Sequence, residues 1–196
     1  MKLGIFGGTF DPVHHGHLIV AEYVREKVGL DRVLLVPSFI SPHKQEEAVS
    51  EVEDRLAMLR EAVGPKSRLE ISEIELRRGG VSYTVDTLRE LSASHPADRL
   101  FLLLGSDNVR EFHTWKDPAE IGRLARLIVL TRPGHEWIPS ESSLLVGAIF
   151  CDVPGIDISS TEIRRRVSLG LPIALMVPPG VERYIVEHRL YTRPAQ

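Results

Sequence analysis

The chain has 196 residues, of which 43% are hydrophobic and 26% are charged, and its formal net charge is −3. This length predicts one domain whose core is large enough to fold without disulfides, and the mildly acidic balance argues against a protein that coats nucleic acid through a basic surface. The single cysteine, Cys151, excludes an internal disulfide and cannot form a zinc site by itself. The opening MKLGIFGG is too short an apolar run for a signal peptide or a membrane span, so we expect a cytoplasmic protein with no membrane partner.

Short apolar runs alternate along the chain with segments of helical periodicity. The runs that predict strands are KLGIF (2–6), RVLLVP (32–37), RLEIS (68–72), RLFLLLG (99–105), ARLIVLTRPG (125–134) and AIFCDVP (148–154). The segments that predict helices are 17–28, a segment from the N-cap Ser50 to Val63, 83–94, 159–168 and 179–191.

This alternation predicts parallel strands joined by right-handed crossovers. The expected fold is α/β, a Rossmann-like doubly wound parallel sheet with helices on both faces. We expect a single domain over 1–196, with the helical part from about 159 packed on the Rossmann-like core.

The loop after the first predicted strand, GGTFDPVHHGH (7–17), holds the densest set of functional residue types. In a doubly wound sheet, ligands bind at the carboxyl ends of the strands. Gly7 and Gly8 allow the backbone to approach a ligand, and a helix that starts near His15 adds a positive dipole end. His14 and His17 are three residues apart on one side of that helical start, so we expect a neutral-to-cationic grip for a polyphosphate.

Two other interpretations of this loop stay open. His-x-x-His spacing also suits a metal, although no third protein ligand is evident nearby and structural zinc takes four. A Gly-Gly turn also serves simply to connect a strand to a helix. The loop lacks the G-x-G-x-x-G fingerprint of dinucleotide-binding oxidoreductases.

GGTFDPVHHGH resembles the nucleotidyltransferase signature G-x-F-D-x-x-H-x-G-H, found in a superfamily that transfers nucleotidyl groups. Four further stretches follow in order: SPHK (41–44), GGVSYTVDTL (79–88), GSDNVREFHTW (105–115) and ISSTEIRRR (158–166). Taken alone, each stretch also fits an ordinary structural role. In the same order, these roles are a solvated loop lysine, a turn with an N-cap, a core tryptophan and a solvated basic helix face. Taken together, and with VPPGVERYIVEHRLY (177–191), they resemble the bacterial nicotinate mononucleotide adenylyltransferase family.

Two positions depart from the pattern of that family. Ser41 stands before Pro42 where a second proline is frequent, and Lys116 follows the tryptophan where an aromatic residue is frequent. The second departure concerns the surroundings of the pyridine ring, although a backbone amide at position 116 would serve with any side chain.

The resemblance implies that ATP and nicotinate mononucleotide are the substrates, with Mg²⁺ carried on the ATP phosphates and no metal bound by protein ligands. It implies catalytic roles for His14, His17, Lys44 and Arg164. The ATP site implied in this way consists of Gly7, Gly8, Thr9, Phe10, His14, His17, Lys44, Asp107, Ser159, Ser160, Thr161 and Arg164. The implied mononucleotide site consists of Tyr83, Thr84, Asp107, Trp115, Lys116 and Arg132.

Three rival functions remain at this point. The first rival is an adenylyl- or cytidylyltransferase that acts on another acceptor. The second is a regulator that binds a nucleotide without catalytic activity. A tRNA synthetase is disfavoured because the chain lacks a K-M-S-K-S loop and has no room for an anticodon domain. No nucleic-acid partner is expected, and the oligomeric state stays open, with a homo-oligomer among the alternatives.

Overall fold

The computed structural model describes residues 1–42, 50–64, 67–131 and 143–192, except for the side chain of Asp107. Six strands form one sheet in the order β3-β2-β1-β4-β5-β6, and every neighbouring pair is parallel. The strands are β1 (Lys2–Gly8), β2 (Arg32–Pro37), β3 (Leu69–Ile71), β4 (Arg99–Gly105), β5 (Ala125–Thr131) and β6 (Ile149–Asp152). The predicted doubly wound α/β fold is confirmed, and each strand coincides with one of the six predicted runs.

The helices of the described residues lie on both faces of this sheet. They are α1 (His15–Val28), α2 (Val52–Ala62), α3 (Ile74–Arg78), α4 (Thr84–Ser94), α5 (Ser106–Glu111), α6 (Pro118–Leu124), α7 (Ser160–Ser168) and α8 (Pro179–Glu187). The sheet is buried on both sides because two apolar clusters cover it. One cluster includes residues of α1, α2, α7 and α8, and the other includes residues of α3 to α6.

The last part of the chain contributes directly to the first of these clusters. Ile163, Val177, Val181 and Ile185 are each 1% exposed or less and pack with the buried residues of α1 and α2. The C-terminal helices therefore share one core with the sheet.

Two predicted helix boundaries need correction. Ser50 is not the N-cap of α2, because the helix begins at Val52 with Glu51 in the cap position and no side-chain cap bond. The last helix ends at Glu187 rather than near residue 191.

The sheet order places the switch point between β1 and β4, whose neighbours lead the chain in opposite directions across the sheet. Gly8 of β1 pairs with Pro37 of β2, and Gly105 of β4 pairs with Leu130 of β5, so these carboxyl ends lie at one edge. A cleft of about 280 Å³ opens there and is lined by residues of β1, β2 and β4. This is the position where ligands bind in open α/β sheets.

Within the described ranges, no helix is long and apolar enough to span a bilayer.

Candidate active site

The first loop forms one wall of the cleft and carries a reciprocal cap at the start of α1. His14 is the N-cap residue, and its Nδ1 accepts the backbone N–H of His17 at 3.4 Å. The His17 Nδ1 in turn accepts the backbone N–H of His14 at 3.3 Å. Each Nδ1 therefore uses its lone pair, which puts the ring proton of a neutral imidazole on Nε2.

The two histidines differ in exposure. His17 lines the cleft, and its ring packs edge-on against Phe10 with centroids 5.1 Å apart. His14 is 5% exposed, and burial lowers its pKa to about 4, with a smaller contribution from the charge of His15. His14 is thus neutral near pH 7, so the expected neutral-to-cationic site has a neutral imidazole at this position. His14 is not among the residues that line the cleft.

Gly16, between these histidines, has a steric reason to be glycine. A Cβ at this position would lie 3.0 Å from Nδ1 and from Cε1 of His14. This distance is shorter than an ordinary van der Waals contact, so a larger residue would require the His14 ring to shift by a few tenths of an ångström within its cap.

The segment at 159–164 faces the first loop across the cleft. Ser159 is the N-cap of α7, and its hydroxyl accepts the N–H of Glu162 at 3.2 Å. The Glu162 carboxylate accepts two hydrogen bonds from Arg165.

Two side chains of α7 join this helix to the first loop. The Ser160 hydroxyl donates to the Pro12 carbonyl at 2.9 Å, and the Arg164 guanidinium donates to the Asp11 carbonyl at 2.8 Å. Ser160 and Arg164 line the same cleft as His17. The structure therefore brings together the two segments with the strongest sequence signals, whose residues are more than 140 positions apart along the chain.

The backbone of the first loop borders the same space. Gly7, Gly8, Thr9 and Phe10 all line the cleft. Phe10 has a φ of 52°, an uncommon value for a residue with a side chain.

Four of the six predicted mononucleotide residues, Tyr83, Thr84, Trp115 and Lys116, lie together beside the cleft. A smaller hollow of about 80 Å³ is lined by Pro42, Tyr83, Thr84, Thr114, Trp115, Lys116 and Ile121. Thr84 and Trp115 also line the main cleft, which makes the two spaces adjacent. The Trp115 ring packs edge-on against Phe112 with centroids 5.5 Å apart.

Lys116 has two contacts on this side of the molecule. Its Nζ donates to Asp86 at 2.8 Å and lies 4.6 Å from the centre of the Tyr83 ring. A cation over an aromatic face is attracted by the ring electrons. The lysine therefore covers Tyr83 at a position where the family pattern often has an aromatic residue.

Three predicted site residues cannot be placed in this way. Lys44 and Arg132 lie outside the described residues, and so does the side chain of Asp107. The Asp107 backbone belongs to α5, directly after β4. Thr161 lies in the first turn of α7, where its hydroxyl accepts a hydrogen bond from Arg164 at 3.4 Å.

A buried network behind the first loop was not predicted. Asp11 is 2% exposed, and its carboxylate accepts the Tyr191 hydroxyl at 2.6 Å and the Ser50 N–H at 3.3 Å. Arg55 is also 2% exposed and donates to three carbonyls, those of Thr9, Phe39 and Ser50.

One sequence signal for this network exists. Arg55 is spaced three residues after Val52 and four before Leu59, so it interrupts the apolar face of α2. A lone charge on an apolar face indicates a buried partner. Tyr191 gives no comparable signal.

No group of three or more His, Cys, Asp or Glu side chains is arranged to hold a metal ion in the part of the chain that the structure describes. Asp11, which lines the cleft, accepts one hydrogen bond at each carboxylate oxygen, from the Tyr191 hydroxyl and from the Ser50 N–H.

Comparison with known proteins agrees with this geometry. A cytidylyltransferase-like family model matches residues 5–166. A probable nicotinate-nucleotide adenylyltransferase of Opitutus terrae is 43% identical to the chain and is matched over 100% of both sequences. The chain belongs to the nicotinate-nucleotide adenylyltransferase family. The resemblance drawn from the motifs is therefore confirmed.

Another family member, from Clavibacter michiganensis, is 39% identical over 99% of this chain and 96% of its own length. The fold is similar to that of the nicotinic acid mononucleotide adenylyltransferase of Plasmodium falciparum, solved in complex with NaAD. That comparison has a TM-score of 0.76 and 21% identity over 97% of each chain. At this identity the likeness concerns the fold.

Proposed function

We propose that this chain transfers the adenylyl group of ATP to nicotinate mononucleotide, giving nicotinate adenine dinucleotide and pyrophosphate. Family membership supports this reaction. The main observation in its support is that one cleft is lined both by His17, Ser160 and Arg164 and by Thr84 and Trp115. The residues assigned to ATP therefore lie next to the residues assigned to the acceptor.

In the proposed reaction, a phosphate oxygen of nicotinate mononucleotide attacks the α-phosphorus of ATP. A new P–O bond forms, the bond between the α-phosphorus and its bridging oxygen breaks, and pyrophosphate leaves with the bonding electrons. The nucleophile is already an anion near neutral pH, so no general base has to remove a proton. Repulsion between anions is the main barrier, and positioning with electrostatic stabilisation lowers it.

The reciprocal cap supports a defined role for the two histidines. With both Nδ1 atoms accepting backbone N–H groups, the ring proton of each neutral imidazole lies on Nε2, and we assign these Nε2–H groups to phosphate oxygens of the bound substrates. Neutral donors that are held in place need no reorganisation when charge moves toward the leaving group. Ser160 and Arg164, with Lys44, are assigned to the leaving β,γ-phosphates.

The acceptor is assigned to the smaller hollow. Thr84 at the start of α4 and the amide of Lys116 would bind the nicotinate carboxylate, and Trp115 would stack on the pyridine. Asp107 is assigned to a ribose hydroxyl, and Arg132 to the mononucleotide phosphate.

Mg²⁺ enters this scheme as part of the ATP substrate. In this scheme phosphate oxygens and water hold the ion, since Mg²⁺ usually keeps several water ligands.

The decisive experiment measures pyrophosphate release from ATP with a panel of acceptors. The panel contains nicotinate mononucleotide, nicotinamide mononucleotide, phosphopantetheine and a no-acceptor control. Turnover that is fastest with nicotinate mononucleotide is the expected result. Preference for phosphopantetheine would overturn the acceptor assignment, and ATP binding without pyrophosphate release would indicate a regulator instead of an enzyme.

A further inference from the structure

A buried carboxylate, Glu75, lies at the acceptor side of the cleft and has no role in the reaction as described so far. It belongs to the short helix α3, is 6% exposed and lines the cleft together with Ser82, Thr84 and Thr87. Carboxylates are rarely this buried unless they are paired. Its surroundings therefore need an explanation.

Two hydroxyl groups bind this carboxylate. Thr87 donates to Glu75 Oε1 at 2.6 Å, and the Ser82 hydroxyl is a second hydrogen-bond partner. Burial raises the pKa of Glu75, while these two hydrogen bonds and the charge of Arg78 oppose the rise. Arg78 reaches the group through Thr87, whose oxygen accepts from the guanidinium at 2.9 Å.

The residues held by Glu75 flank the segment assigned to the acceptor. Ser82 lies directly before Tyr83 and Thr84, and Thr87 lies in the first turn of α4. A carboxylate that accepts from both residues fixes the rotamers of both hydroxyls and joins the two ends of this turn. The first N–H groups of α4 then keep one orientation toward the cleft.

The same segment is braced from its other side. The Ser82 hydroxyl accepts the Phe39 N–H at 2.9 Å, and the Ser82 N–H donates to the Ile40 carbonyl at 2.9 Å. A hydroxyl can accept one hydrogen bond while it donates another. Ser82 thus connects Glu75 with the loop that follows β2.

We propose that Glu75 is a positioning residue for the acceptor, which acts by holding the Ser82–Thr84 turn in the geometry that binds nicotinate mononucleotide. This inference rests on the proposed function. Glu75 touches neither reacting atom in this scheme, and its effect is transmitted through Ser82 and Thr87.

The test compares wild type, Glu75→Gln, Ser82→Ala and the control Glu90→Gln. Glu90 is the exposed second partner of Arg78, 2.6 Å from its guanidinium, and does not line the cleft. For each protein, kcat and KM are measured for one substrate at saturating levels of the other, together with the thermal midpoint. We expect Glu75→Gln to raise the KM for nicotinate mononucleotide at least about tenfold, the scale of one lost hydrogen bond to a charged group.

The pattern across parameters separates positioning from stability. In Glu75→Gln, kcat and the KM for ATP should stay within about threefold of wild type, and the thermal midpoint should change little, because the amide has the same shape and its oxygen can still accept one of the two hydroxyls. Ser82→Ala should raise the same KM, and Glu90→Gln should match wild type. An unchanged KM for nicotinate mononucleotide in Glu75→Gln, or a loss of activity that follows a lower thermal midpoint, would overturn the role of Glu75. Absence of wild-type turnover with this acceptor would instead overturn the proposed function.

Discussion

The imidazole rings of His14 and His17 stack with their centroids 3.7 Å apart, while each Nδ1 accepts the backbone N–H of the other residue. The cap of α1 therefore depends on the protonation state of these two imidazoles. A proton on Nδ1 of His14 would remove the acceptor that the His17 N–H needs. Two stacked imidazolium ions would also repel each other at the positive end of a helix.

The first prediction follows from the burial of His14. Because its folded-state pKa is about 4 and its ordinary value is 6.5, the unfolded chain takes up this proton first as the pH falls. The stabilisation is therefore complete above pH 6.5 and is lost progressively toward pH 4, by about 3 kcal/mol in total.

Urea unfolding at several pH values measures this loss. His14→Asn is the matched control, because asparagine is a good N-cap and does not titrate in this range. Wild type should lose about 3 kcal/mol more than His14→Asn between neutral pH and pH 4. Parallel stability curves for the two proteins would show that the pKa of His14 is the same in the folded and the unfolded chain.

The second prediction concerns the histidine that lines the cleft. His17→Ala should lower kcat at least about 100-fold, because it removes one preorganised donor to the developing charge. His15→Ala is the control, since His15 does not line the cleft and has no assigned contact with substrate. Near-normal kcat in purified, folded His17→Ala would exclude this ring from catalysis.

Gly16 gives the third prediction. Alanine favours a helix by about 1 kcal/mol over glycine, but here its Cβ would lie 3.0 Å from the His14 ring. We expect Gly16→Ala to reduce turnover about tenfold or more while thermal stability changes little, because helix propensity and ring displacement oppose each other.

Gly122→Ala measures the effect of helix propensity without displacement of a histidine ring. Gly122 also lies in a helix, α6, and its added Cβ would come no closer than 4.0 Å to the Leu144 carbonyl. This variant should be as stable as wild type or more so, with unchanged turnover. Equal turnover in both alanine variants would mean that the His14 ring tolerates displacement.

The sheet was predictable because parallel strands that are buried on both faces appear as continuous apolar runs, as in RLFLLLG at β4. The helices α3, α5 and α6 were not predicted, because elements of five to seven residues are too short to show a helical period. Their formation depends on packing against the sheet rather than on local preference.

The residues of the candidate site also differ in whether the sequence alone could identify them. His14, Gly16 and His17 were recognisable because they are close in sequence and act on a local backbone turn. The bond from Tyr191 to Asp11 joins residues 180 positions apart, and the partners of Arg55 are carbonyl groups that no side-chain pattern reveals. Sequence periodicity identifies which face is buried but not which distant polar group satisfies a buried charge.

The last prediction tests Arg55, whose single guanidinium donates to Thr9, Phe39 and Ser50. Phe39 and Ser50 stand on either side of the segment that carries Lys44, and Thr9 belongs to the first loop, so this group ties three backbone positions around the cleft. Arg55→Lys keeps a positive charge but replaces a planar fork by one ammonium group, which cannot reach three carbonyls in the same geometry. Since the site is buried, the lost bonds should cost about 3 kcal/mol or more in the free energy of unfolding, and the KM for ATP should rise more than the KM for nicotinate mononucleotide.

Arg60→Lys on the same helix is the control for this change. Arg60 is exposed and donates to Glu73 at 2.6 Å, an interaction expected to contribute less than about 1 kcal/mol. Urea unfolding and steady-state kinetics on both variants decide the matter. If Arg55→Lys were no less stable than Arg60→Lys and kept the wild-type KM for ATP, then the three carbonyls would not depend on Arg55, and the first loop would be held by Asp11 and α7 without it.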